Sequence, residues 1–140
     1  MRIYVWIVKE SKNMKRVIVA VQNTLVCEVI AYALKKHDML VEKATGDTPE
    51  EIANVCGAFL ADVLVVDVTR FGSGAFDRRI KTSDLVKKNN PKAKVCFVCD
   101  NVSDADLSYR VANAKRLGVI DAFFYQSVPS DYIADAIDAL

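Results

Sequence analysis

The sequence predicts an α/β fold: a doubly wound, five-stranded parallel sheet in the order 2-1-3-4-5, with helices on both faces. Three observations carry this. Short apolar runs alternate with stretches of helical periodicity along the whole chain, which is the pattern of strand–helix units joined by right-handed crossovers. The runs "VIVAV", "VLVV" and "VCFV" are continuously apolar, as strands covered on both faces must be. "MLVEKA" is half polar and suits a sheet edge, which sets the second strand outside the first.

The predicted strands are Arg16–Val21, Met39–Ala44, Asp62–Asp67, Ala93–Cys99 and Val119–Tyr125. In the first helix, Leu25, Val26, Val29, Ile30, Ala33 and Leu34 recur at the three-to-four spacing of one buried face. The second has a strong start: Thr48 can cap the free amides, Pro49 suits the first helical position, and Glu50 and Glu51 complement the dipole. Its expected buried face is Ile52, Val55, Cys56, Phe59 and Leu60. The third falls within Ala75–Asn90 and is best supported over Ser83–Asn89, because Phe76, Ile80, Leu85 and Val86 form no continuous stripe. The fourth runs from about Asp104 to Leu117, where Gly118 offers a left-handed stop. The fifth fills Ser130–Leu140, with Ile133, Ile137 and Leu140 on one side.

At 140 residues and 52% apolar composition, residues 14–140 are expected to close one core. Nineteen Lys and Arg against eighteen Asp and Glu are scattered rather than blocked, which argues against nucleic acid or an anionic membrane held by bulk electrostatics. Apolar runs such as Val17–Val21 are far short of the ~20 residues of a membrane span. A cytoplasmic protein is expected. Residues 1–13, "MRIYVWIVKESKN", have no place in the five-unit layout. They read as an N-terminal extension, in which Ile3–Val8 is an extra strand, or as a start upstream of a natural one at Met14.

Cys27, Cys56, Cys96 and Cys99 lie in apolar segments, where cysteine acts as a small hydrophobe. "CFVC" has redox or zinc spacing, but in a strand residues three apart point to opposite faces, and His37 stands alone at a helix end. "FGSG" lacks the lysine and spacing of a phosphate-cradling loop and reads as a turn.

In this topology the functional crevice lies beyond the carboxyl ends of strands one and three, and Asp67 stands there, at the end of "VLVVD". The five-unit order, that Asp and the aromatic "AFFY" end of strand five resemble the CheY-like receiver domain of bacterial response regulators, over roughly Met14–Leu140. The resemblance implies that Asp67 occupies a phosphoacceptor position. It also implies two acids at the end of strand one for a divalent cation, a Ser or Thr ending strand four, and a Lys ending strand five. Val21 and Gln22 stand at the acid-pair positions, Cys99 at the hydroxyl position, and "YQSVP" carries Pro129 but no Lys. Phe124 falls near the family's aromatic switch position. Thr69 could offer a carbonyl to a cation, and Arg70 could pair with Asp67.

The expected function is therefore an atypical receiver-like signalling domain, a protein-interaction module that works without phosphorylation and is not an enzyme. The expected partner is a protein or a second copy, through helix four, strand five and helix five, with Phe123, Tyr125 and Ile133 at the contact. No cofactor is expected. A phosphorelay receiver accepting phosphate on Asp67 with Mg²⁺ is one alternative. The other is a flavodoxin-like cofactor binder, although "QNTLV" lacks the small hydroxyl-rich phosphate cradle.

Overall fold

The computed structural model describes residues 14–70, 72–100 and 105–140. Residues 1–13, and with them the predicted strand at Ile3–Val8, lie outside the described residues. Five parallel strands form one sheet: β1 (Arg16–Ala20), β2 (Leu40–Lys43), β3 (Val63–Val68), β4 (Lys94–Cys99) and β5 (Ala122–Tyr125). Their order is β2-β1-β3-β4-β5, as the apolar patterning requires. Each crossover carries a helix: α1 (Thr24–Lys36), α2 (Pro49–Phe59), α3 (Phe76–Asn89) and α4 (Ala105–Arg116), with α5 (Ser130–Asp138) closing the chain.

The sheet separates two apolar cores. On one side Val17, Val19, Val63, Val65, Cys96 and Val98 meet Ile30 and Leu34 of α1 and Ile133 and Ile137 of α5. On the other, Ile18, Leu64, Val66, Val95, Phe97 and Cys99 meet α2, α3 and α4 through Ile52, Val86 and Val111. Alternate residues of one strand feed opposite cores, as the pleat dictates. Cys96 and Cys99 consequently lie on opposite sides of the sheet, and "CFVC" is no dithiol pair.

Two local expectations are corrected. The buried face of α1 is Cys27, Ile30, Ala31, Ala33 and Leu34, whereas Leu25, Val29 and Tyr32 face solvent. Ile30 and Leu34 anchor this face in the core shared with α5, and the remaining apolar positions of α1 turn outward. Leu60 is not in the buried face of α2; it ends the helix in the left-handed region, φ 57°, with 73% of its surface exposed. α3 is helical from Phe76, and its buried stripe is Arg79, Thr82, Ser83 and Val86. The helix falls within the expected Ala75–Asn90, and polar side chains fill three of its four buried positions, which is why the apolar residues form no continuous stripe.

Where caps were predicted, they form. Thr48 Oγ1 accepts from Glu51 N at 3.1 Å while Glu51 Oε1 accepts from Thr48 N at 3.4 Å, a reciprocal box that fixes the β2–α2 loop. Gly118, with φ 78°, follows α4 as expected.

Candidate functional site: a carboxylate held by a buried guanidinium

Asp67 is the only acidic residue of β3 and lies one residue from its end. It is 2% exposed. A buried carboxylate is costly unless it is paired and hydrogen-bonded, and both oxygens of Asp67 are engaged. Oδ2 accepts from the main-chain N–H of Gln22 at 3.1 Å, at the end of β1. Oδ1 accepts from Nη2 of Arg79 at 2.7 Å. The same arginine donates through Nε to the Asp67 carbonyl at 2.7 Å, so its fork grips side chain and backbone together.

Arg79 is wholly buried and is the largest such side chain among the described residues. Its Nη2 also reaches Oδ1 of Asp47 at 2.9 Å, a carboxylate from the β2–α2 loop that is a third exposed. Gln22 Nε2 donates to the other oxygen of Asp47. Nη1 of Arg79 is buried with no hydrogen-bond partner among the described residues. One guanidinium therefore stands between two carboxylates and ties β3, the β2–α2 loop and α3 together.

Local structure explains how Arg79 reaches the site. After β3 the chain turns through the 3-10 helix Gly72–Gly74, closed by Thr69 N to Gly74 O at 2.8 Å and Ala75 N to Gly72 O at 3.1 Å. A Cβ on Gly74 would stand 2.5 Å from Thr69 Oγ1, so a side chain there would force Thr69 to shift. This tight return starts α3 beside the end of β3 and points its fourth residue back at Asp67. The site arginine is thus Arg79, which the sequence reading passed over while considering Arg70.

The other predicted positions separate. Val21 is buried in the α1/α5-side core, and Gln22 serves as a hydrogen-bond donor instead of a carboxylate. Cys99 is buried on the opposite side, and burial pushes its thiol up to about 12. Phe124 does not share that side. It packs toward α5, its ring edge-on to Tyr132 at 6.3 Å, while the residue in register with Cys99 is Tyr125. Cys99 and Phe124 are thus not brought together as a switch pair. Phe123 and Tyr125 pair edge to face at 6.2 Å, each partly exposed on the edge strand. Ile133, at 2% exposure, belongs to the core between α1 and α5 and is corrected as an interface residue.

The strand order and the buried Asp near the end of β3 together decide the comparison with known folds. The fold is that of a receiver domain. The chemotaxis protein CheY4 of Vibrio cholerae superposes with a TM-score of 0.68 at 11% identity, covering 90% of this chain and 98% of that one. A CheY-like receiver domain protein of Methanospirillum hungatei gives 0.67 at 15%, covering 91% and 93%. A receiver domain protein of Clostridium thermocellum gives 0.68 at 15%, covering 90% and 93%. No protein-family model matches the sequence, and the comparison with curated proteins finds no match.

The divalent cation that this fold implies does not fit the residues present. Val21 and Gln22 supply no carboxylate at the end of β1, each Asp67 oxygen already accepts a hydrogen bond, and a buried cation already faces the carboxylate. Placing a second positive charge beside Arg79 would cost energy in an interior that screens poorly.

Proposed function

We propose that this receiver domain acts in signalling as a protein-interaction module, independently of phosphorylation. The observation that carries the reading is the state of Asp67: buried at 2%, with both oxygens bound and an arginine against it. A carboxylate that attacks a phosphoryl group must approach an electrophile that is itself negatively charged, with cationic help at the transferring oxygens. Here the buried guanidinium of Arg79 is engaged by Asp67 and Asp47. Cys99 offers only a weak S–H donor where a hydroxyl would meet the phosphoryl oxygens. The flavodoxin-like alternative has less support, because Asn23, in the loop where a phosphate would sit, caps α1 by accepting from Val26 N at 3.1 Å.

Intact-mass spectrometry after incubation with acetyl phosphate and Mg²⁺ tests the reading. The unmodified mass is expected. A stoichiometric phosphoryl adduct that disappears in Asp67→Asn would overturn it.

The proposed contact is a second copy across the α4–β5–α5 face. β5 is an edge strand whose Phe123 and Tyr125 remain partly exposed, an apolar centre for an interface. The helices beside it carry opposite charge. α4 has Arg110, Lys115 and Arg116 against Asp106, whereas the charged residues of α5 are Asp131, Asp135 and Asp138. A two-fold axis through β5 would set the basic helix of one copy toward the acidic helix of the other. Sedimentation of Tyr125→Glu and of Tyr132→Glu tests this: the dimer should dissociate in the first variant and weaken in the second. An unchanged dimer, or a monomeric wild type, would refute it. Cytoplasmic placement belongs to the same proposal; among the described residues no helix is long and apolar enough to cross a membrane.

A further inference from the structure

We infer that Arg79 is the resident cation of this site, a guanidinium that does permanently what a bound divalent ion would do for the same pair of carboxylates. The inference rests on the reading of Asp67 just given and deepens it. Four observations converge. Nη2 lies 2.7 Å from Asp67 Oδ1 and 2.9 Å from Asp47 Oδ1, so one nitrogen bridges two anionic side chains from separate loops. The arginine is wholly buried, where a lone cation is hardest to hold. It sits in the first turn of α3, the end of a helix that disfavours positive charge. Its Nη1 has no partner among the described residues, whereas every bond made by Nε and Nη2 goes to Asp67 or Asp47. What justifies it is the negative charge of Asp67 and Asp47.

Asp47 is the second, unanticipated member. The acids missing at Val21 and Gln22 are replaced by one from the β2–α2 loop, held by Gln22 and presented next to the Thr48 capping box. Two carboxylates facing one centre form an oxygen donor set suited to a hard cation once the guanidinium is gone. The wild-type chain should therefore ignore Mg²⁺. A chain lacking the guanidinium should respond to it.

The experiment is thermal unfolding of the full chain with and without millimolar Mg²⁺ at matched ionic strength. The wild type is expected to show no shift. Arg79→Ala is expected to melt lower and to recover several degrees with Mg²⁺, and Arg79→Ala/Asp47→Asn should lose that recovery. Arg79→Lys, which keeps the charge without the fork, should melt lower than wild type yet remain insensitive to Mg²⁺. Should Arg79→Ala not fold, Arg79→Gln supplies a neutral side chain of similar reach for the same measurement. A Mg²⁺-dependent rise in wild type, or neutral variants no more responsive than wild type, would overturn the inference. The two proposals fail separately: a phosphoryl adduct on wild-type Asp67 sinks the interaction-module reading, whereas Mg²⁺-insensitive neutral variants sink only the resident cation.

Discussion

Replacing Arg79 by methionine removes the guanidinium while keeping most of the side-chain volume, and its cost follows from what is left behind. Asp67 would remain 2% exposed, with the Gln22 amide as its remaining donor among the contacts described above. Breaking a buried ion pair on one side typically costs about 3–5 kcal/mol, because the orphaned charge stays desolvated. Asp47 adds less, since it is a third exposed and a partly hydrated pair is worth about 0–1 kcal/mol. Against a total stability of roughly 5–15 kcal/mol, Arg79→Met should remove a large share. For a domain of 140 residues this corresponds to about 10–20 °C in melting temperature.

The cycle with Asp67→Asn isolates the pair. Asp67→Asn alone leaves Arg79 buried with Asp47, and the double variant removes both buried charges. If the two groups act as a unit, the double variant is more stable than the sum of the single losses predicts, by about 1–3 kcal/mol. Urea unfolding followed by far-ultraviolet circular dichroism measures all four chains. A loss below about 1 kcal/mol for Arg79→Met, or strict additivity, would refute the claim that this pair anchors α3 to β3.

Two further outcomes follow from local geometry. Leu60→Gly should stabilise the fold by roughly 0.5–1 kcal/mol, because a left-handed L-residue carries a penalty of about 1–2 kcal/mol that glycine avoids, less the entropy of an added glycine. Leu60 is 73% exposed and loses little burial; a destabilised variant in urea titration would show that its side chain packs. Burial pushes the thiols of Cys56 and Cys99 from 9.0 up to about 12, so the folded chain holds those protons more tightly than the unfolded one. Their contribution is complete below pH 9 and is lost as pH rises from 9 toward 12, by up to ~1.4 kcal/mol per pH unit for each thiol. Cys56→Ala/Cys99→Ala should flatten the fall in urea midpoint between pH 9 and 10.5, and an unchanged slope would contradict the assignment.

The sheet was legible because its signal is redundant. Continuous runs at β1, β3 and β4 fix those strands as central, and the polar Glu42 and Lys43 of β2 fix an edge; no long-range contact is needed to read either. Burial on a helix was less legible, since α1 offers apolar residues on more than one face. Leu25, Val29 and Tyr32 compete in the pattern with Cys27, Ala31 and Ala33, and only the tertiary contacts of Ile30 and Leu34 select between them. The side on which Phe124 packs is hidden in the sequence for a related reason. In "AFFY" every residue is apolar, so the sequence carries no alternation, and the side is set by the register Cys99 to Tyr125.

The site itself was half visible. Asp67 announces itself as a carboxylate closing an apolar strand, but its partner is hidden inside a helix whose buried stripe is Arg79, Thr82, Ser83 and Val86. A search for apolar periodicity discards that stripe because three of its four members are polar. Yet a residue-level signal was present in "FDRRIK", where two arginines occupy the start of a helix and oppose its dipole. An unfavourable charge at a helix start calls for an anion to justify it, and the tight turn through Gly74 brings that start back to Asp67. Arg79 and Asp67 thus account for each other: the arginine explains how a carboxylate survives at 2% exposure, and the carboxylate explains why a cation is buried in the first turn of α3.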